Sequence, residues 1–295
     1  VSPRETFEEF AATRRARVER ELDRRLPPAD AEPRPLAEAM RHSVFGGGKR
    51  IRPLLALAAA RALDLPEEPA LPAACALELL HTYSLIHDDL PCMDDAELRR
   101  GRPACHKAYG EAVAVLAGDA LATLAFEVAA APGPAPGTRA VLVVELTRAA
   151  GIEGMIGGQV RDLQAEGQPP DAATLDFIHR RKTGSLIRAA VRMGALAAGA
   201  PEAALAALTR YGECVGLAFQ VVDDILDVSG DPRMLGKDAR RDQDRRKMTF
   251  PALVGLDGAR RRALELSDEA SAAVAALPGR DLLHELARSL VERSG

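Results

Sequence analysis

Two acidic clusters have the residue types and spacing for chemistry. The first is His87-Asp88-Asp89-Leu90-Pro91-Cys92-Met93-Asp94-Asp95, followed by Glu97. The second is Gln220-Val221-Val222-Asp223-Asp224-Ile225-Leu226-Asp227. On a helix, Asp223 and Asp227 share one face and repel, so a cation should offset them. Pro91 predicts the end of a helix, and the break lets Asp94 turn back toward Asp88. Carboxylates gathered without histidine or thiolate ligands suit a hard ion. Mg²⁺ held by a few of them keeps waters and takes further ligands from a phosphate substrate. Either cluster alone could be a solvated acidic helix end. Two clusters, each embedded in apolar sequence, argue for one cavity that both face. Calcium is the weaker alternative, because the glycine-punctuated EF-hand loop is missing. Cys92 sits among the aspartates, but a soft thiolate is a poor companion for a hard cation.

An anionic substrate needs further cations. Gly46-Gly47-Gly48-Lys49-Arg50-Ile51-Arg52-Pro53 joins a flexible loop to three basic residues, and such a loop allows close backbone approach to a phosphate. It lacks the Walker spacing and ending, and a solvated turn is the plainer alternative. Arg99-Arg100 follows the first acid cluster, and guanidinium forks bind phosphate bidentately. Lys182-Thr183 offers an ammonium and a hydroxyl, and Lys237 and Lys247 flank the loop after the second cluster. Each of these cations alone would read as surface. Gly157-Gly158-Gln159-Val160-Arg161-Asp162-Leu163 reads as a helix that packs closely on a neighbour.

The elements that must position these residues are helices. Ala73–Asp89, Val113–Ala131 and Ala203–Val228 are too long for strands, and clean period-two alternation is missing. Proline-rich breaks fall at Pro27–Pro35, Pro66–Pro72 and Pro132–Pro136, and a charged break runs from Ser229 to Lys247. The reading is all-α with about ten helices, forming a single domain over residues 1–295. With 47% apolar and 28% charged residues in 295, the chain can bury a sizeable core. A formal net charge of -4 gives no global field for nucleic acid. The apolar runs Pro53–Ala60 and Met193–Ala200 are too short to span a bilayer, and the Arg- and Glu-rich start lacks a signal-peptide core. The expectation is a cytoplasmic protein without stable membrane insertion. Cys75, Cys92, Cys105 and Cys214 are scattered, which suggests neither zinc nor a disulfide framework.

Taken in order, the motifs resemble those of the short-chain trans-prenyl diphosphate synthases, especially the bacterial type of farnesyl diphosphate synthase. The runs are GGGKRIRP at Gly46, LLHTYSLIHDDLPCMDD at Leu79, LRRGRP at Leu98, LAGDAL at Leu116, GGQVRDL at Gly157, KTGSLIRAA at Lys182 and GLAFQVVDDILD at Gly216. The lysine-ended loop through Lys247 completes the set. The resemblance implies a helical terpenoid-synthase fold around a deep central cavity, homodimeric, with three Mg²⁺ ions per site. It assigns Asp88, Asp94 and Asp223 to the metal, with Asp89, Asp224 and Asp227 completing or supporting the clusters. It gives Lys49, Arg52, His81 and Arg100 to isopentenyl diphosphate. Arg99, Lys182, Thr183, Gln220, Lys237 and Lys247 go to the allylic diphosphate. Ala96-Glu97 departs from the commonest aspartate pattern, and Lys237–Lys247 is unusually arginine-rich.

The chemistry so implied is ionisation of an allylic diphosphate, condensation with isopentenyl diphosphate, then proton loss. Lys182, Thr183 and Gln220 would stabilise the ionising partner. A terpene cyclase shares the fold, but an aromatic-lined cavity is expected there, and this chain has no Trp and 3% aromatics. A non-catalytic synthase subunit could lose its acid motifs, which are intact here. Tyr83 and Ser84 lie five and four residues before Asp88, about 6–8 Å below it along a helix. The resemblance turns Tyr83 into the cavity as a floor, which favours a farnesyl product, with geranylgeranyl diphosphate as the alternative.

Overall fold

The computed structural model describes residues 5–229 and 248–292. Thirteen α-helices lie among the described residues: α1 (Phe7–Arg25), α2 (Arg34–Val44), α3 (Ile51–Arg61), α4 (Leu71–Asp88), α5 (Cys105–Tyr109), α6 (Glu111–Ala129), α7 (Pro136–Ala150), α8 (Met155–Ala165), α9 (Ala172–Ile178), α10 (Ser185–Ala198), α11 (Glu202–Ser229), α12 (Phe250–Ala273) and α13 (Arg280–Val291). The three long helices foreseen from sequence are α4, α6 and α11, with ends shifted by a residue or two. Proline marks the starts: Pro72 and Pro136 sit in the first turns of α4 and α7, where a missing N–H costs nothing. Thr6 caps α1 in a reciprocal box with Glu9.

Helices α3 and α4 form the centre. Pro53–Ala60 in α3 and Pro72–Leu80 in α4 are buried on every side, as expected of helices wrapped by others. α10 packs across both, and α6 lies along α4. The main core runs from Phe10 in α1 to Leu290 in α13. A second cluster joins Ala218, Val222 and Ile225 of α11 to Ala259 and Leu266 of α12. Tyr211, fully buried in α11, donates its hydroxyl to the Leu283 carbonyl at 2.8 Å. α11 is thereby held at a fixed height against α13.

Three local features depart from the sequence reading. Leu98–Arg99 and Arg102–Pro103 pair as a two-stranded antiparallel hairpin, β1 and β2. Two-residue strands are too short to leave a visible alternation. The turn between them places Arg100 and Gly101 at φ 54° and 76°, the two left-handed residues that a tight hairpin needs. Secondly, α9 continues through a π-helical turn, His179–Gly184, into α10. Wide turns of this kind recur at functional sites. Thirdly, α6 is long and apolar enough to cross a membrane by length and composition. Glu111, Asp119 and Glu127 interrupt its apolar run, which hid it from the sequence reading. Ala114, Ala117, Leu121 and Ala125 are buried on its inner face.

Candidate active site

The C-terminal end of α4 and the hinge after it shape the first acidic cluster. α4 stops at Asp88, ahead of Pro91, and the chain folds back so that the Asp94 N–H donates to the Asp88 carbonyl at 2.8 Å. Asp95 N–H to Leu90 O and Ala96 N–H to Asp89 O close the same loop. This is the return that the sequence predicted. Asp88 and Asp94 line a cavity of about 980 Å³. Burial raises the Asp88 pKa, with Asp94 and Asp89 adding to it and Lys182 and Arg99 opposing. A carboxylate strained in this way gains from a bound cation. Asp89 points elsewhere: it is buried, and both its oxygens accept from the Arg99 Nε at 3.1 Å. Arg99 thus engages the Asp89 carboxylate through both of its oxygens.

The second cluster rides on α11. Asp223, Asp224 and Asp227 all line the same cavity as Asp88 and Asp94. Asp224 is buried and engaged by protein. It accepts from the Gln220 Nε2 at 3.2 Å and the Phe250 N–H at 2.7 Å, and the His179 Nε2 lies 3.2 Å away. Thr183 in turn donates its hydroxyl to the Gln220 Oε1 at 2.7 Å. Thus Thr183 and Gln220, predicted separately from sequence, meet in one chain of hydrogen bonds.

Cations complete the ring. Lys182 lines the cavity, and its Nζ donates to Asp162 Oδ2 at 2.6 Å. Asp162 was missed as a functional residue, because its glycine-rich run reads as helix packing. That packing is real and serves the site: a Cβ on Gly158 would lie 2.2 Å from the Lys182 backbone nitrogen, so only glycine admits the π-turn so close. Arg52, His81 and Arg100 line another part of the cavity. Burial pulls Arg52 down to about 10, Arg100 adds to that, and Glu78 opposes it. His81 is held well below the usual imidazole range by burial and then by Arg52, Arg100, Arg99 and Arg50. His81 thus lies on the cavity wall beside Arg52 and Arg100. Arg100 donates to the Gly47 carbonyl and lies over Gly48, where a Cβ would collide with its guanidinium.

Arg50 is the basic residue of its run that serves the fold. It is buried, pairs with buried Glu78 at 2.8 Å and donates to the Val44 carbonyl. Lys49 is exposed at the loop and is not among the residues lining the cavity. Lys237 and Lys247 lie outside the described residues. Tyr83 and Ser84 line the cavity wall below Asp88. The Tyr83 ring stacks edge-on against His87, with centroids 4.9 Å apart, and His87 Nε2 lies 3.1 Å from the Val115 carbonyl of α6.

Carboxylates from two segments of chain, flanked by guanidinium and ammonium groups in a deep helical cavity, are a set suited to an enzyme of phosphorylated substrates and hard cations. Comparison with known proteins carries this to a family. A sequence model of polyprenyl synthetase matches residues 33–277. The chain is 47% identical over 281 residues to farnesyl diphosphate synthase of Escherichia coli (strain K12), covering 92% of this chain and 94% of that protein. It is 46% identical over 271 residues to the chloroplastic geranylgeranyl pyrophosphate synthase 12 of Arabidopsis thaliana, covering 90% and 75%. Among solved structures, an apo FPP/GFPP synthase from Zymomonas mobilis aligns at TM-score 0.87 and 38% identity, over 96% of this chain and 98% of that one. A geranyltransferase from Helicobacter pylori, complexed with magnesium and isoprenyl diphosphate, aligns at TM-score 0.85 and 37% identity, over 99% and 97%. The chain belongs to the polyprenyl synthetase family and is a prenyltransferase of the farnesyl or geranylgeranyl diphosphate synthase kind.

Proposed function

We propose that this enzyme stops at the fifteen-carbon product, condensing isopentenyl diphosphate with dimethylallyl and then geranyl diphosphate to give farnesyl diphosphate. The observation that carries the length is Tyr83. It is half-buried, lines the cavity five residues before Asp88, and is backed by the His87 ring. A tail growing down from the metal end meets this pair of rings. The test is chromatography of the dephosphorylated products. Wild type should make mainly C15, and Tyr83→Ala should shift the products toward C20 or longer. Mainly C20 from wild type would refute the length.

The site fits magnesium by its donor chemistry: hard oxygens on two elements, one of them a half-buried carboxylate, Asp88, whose raised pKa a cation would relieve. Asp88, Asp94, Asp223 and Asp227 would hold it, with three ions in the family resemblance. Bound there, it supplies positive charge against the leaving diphosphate. The chain's own residues do the rest. Lys182 and Arg99 hold the allylic diphosphate while its C–O bond breaks and the oxygen keeps the electron pair. Thr183 and Gln220 turn dipoles toward the allylic cation. Arg52, Arg100 and His81 hold isopentenyl diphosphate so that its double bond lies within reach of that cation. The new C–C bond leaves a cation that loses a proton to the departed diphosphate.

The same reading includes a homodimer. Leu116 of α6, Val141 and Val144 of α7, and Ile152 are 57%, 44%, 46% and 85% exposed, a run of apolar side chains across adjoining elements. A second copy of this chain is the occupant proposed for that face. Light scattering should give twice the monomer mass, and Leu116→Lys with Val144→Lys should halve it.

A further inference from the structure

Asp224 sits inside an aspartate motif read as metal-binding, yet its surroundings belong to the protein. It is 5% exposed, and His179, on the π-turn, is 4% exposed. Oδ2 accepts the Phe250 N–H at 2.7 Å, and the His179 Nε2 lies 3.2 Å from the same oxygen. A carboxylate only accepts, so the ring nitrogen facing it carries the proton. Oδ1 accepts from the Gln220 Nε2 at 3.2 Å. The Gln220 amide must therefore present its NH2 to Asp224, which turns its Oε1 toward Thr183. The Thr183 hydroxyl then donates to Oε1, at 2.7 Å. A hydroxyl whose hydrogen is committed offers only its oxygen lone pairs elsewhere, and Thr183 lines the cavity. If the amide were reversed, its NH2 would face Thr183 and the hydroxyl hydrogen would be turned toward the cavity. Toward a developing cation, one direction stabilises and the other repels.

We propose that Asp224, backed by His179, is a positioning residue that fixes the direction of the Gln220 amide and so turns the Thr183 oxygen toward the allylic cation. Asp223 and Asp227 line the same cavity and keep the metal role given them under the proposed function. This rests on the prenyl-transfer reading of the site and adds a division of labour within the second aspartate motif. It also gives the π-turn a role. His179 and Thr183 both lie on this turn and meet the same group of side chains on α11.

The experiment compares Asp224→Asn with Asp223→Asn, measuring turnover together with calorimetric binding of a geranyl thiolo-diphosphate, which cannot ionise, in saturating Mg²⁺. In Asp224→Asn, an amide nitrogen facing Gln220 reverses the chain. The expected result is a kcat loss of roughly ten- to hundredfold, with KM for both substrates and analogue Kd within about twofold. Asp223→Asn should weaken analogue binding by about tenfold or more. In a Thr183→Val background, Asp224→Asn should cost less than about threefold further, because residues acting as one unit do not add. If Asp224→Asn fails to fold, the pair His179→Phe and His179→Gln carries the test. The first should lose kcat alone, and the second, which keeps a donor, should recover most of it. Weakened analogue binding in Asp224→Asn, a loss that multiplies with Thr183→Val, or no rescue by His179→Gln would overturn the assignment. Failure of the prenyl-transfer reading would show separately, as wild type making no prenyl product and Asp223→Asn binding the analogue normally.

Discussion

Arg52→Ala should make the empty enzyme more stable and the working enzyme worse. Arg52 is held beside Arg100 in the cavity wall, and its Nε is buried without a hydrogen-bond partner. The fall from the ordinary guanidinium value to about 10 corresponds to about 3 kcal/mol of strain in the charged form. Solvent in the cavity trims that to roughly 1–3 kcal/mol. The sign follows from linkage. The folded state binds this proton less tightly than the unfolded chain. The penalty is therefore fully present below about pH 10 and is relieved only as pH rises toward the ordinary guanidinium range. At neutral and mildly alkaline pH it is constant, so the stability gain from Arg52→Ala should not vary with pH there. At roughly 2 °C per kcal/mol for a chain of this length, Tm should rise by about 2–6 °C. A charge-assisted hydrogen bond from Arg52 to the substrate is worth about 1.5–3 kcal/mol. Without it, KM for isopentenyl diphosphate should rise about ten- to hundredfold, while KM for the allylic substrate changes little. Calorimetry of the apo protein and steady-state kinetics with each substrate varied in turn give both numbers. A fall in Tm, or equal effects on the two KM values, would refute the reasoning.

Replacing Asp88 or Asp223 with Ala should abolish turnover while the fold persists, and chelation should do the same reversibly in wild type; full turnover in EDTA would disprove the metal site. Asp162→Asn removes the charged partner of Lys182, 2.6 Å away. An ammonium no longer held in position should raise KM for the allylic diphosphate by about threefold or more, measured against an unchanged KM for isopentenyl diphosphate. Glu78→Gln leaves buried Arg50 with Glu19 alone as a charged partner, at 3.6 Å and 43% exposed. Breaking such a pair costs about 3–5 kcal/mol, so thermal unfolding should begin several degrees lower; an unchanged Tm would show that Glu19 and the Val44 carbonyl suffice.

Local patterns reported the helices because helix formation is written in near neighbours. Apolar spacing and the Pro91 break set α4, α6, α11 and the Asp94 return within a residue or two. The family motifs were equally legible, since each is a contiguous run. What stayed hidden depended on partners distant in the chain. Arg50, Arg52 and Arg100 are alike as letters. Only the fold separates a guanidinium pinned to Glu78 from two that face a cavity. Asp223 and Asp224 are adjacent and chemically identical, but the helix turns them about 100° apart. Asp224 is thereby set among Gln220, His179 and the Phe250 N–H, groups from three segments of chain that no local window joins. Asp162 reads as part of a packing stripe until the π-turn brings Lys182 against it. Sequence determined which residues could carry charge and where the chain must bend; tertiary structure decided which of those charges are buried in pairs and which line the cavity, because burial and pairing are properties of the assembled neighbourhood.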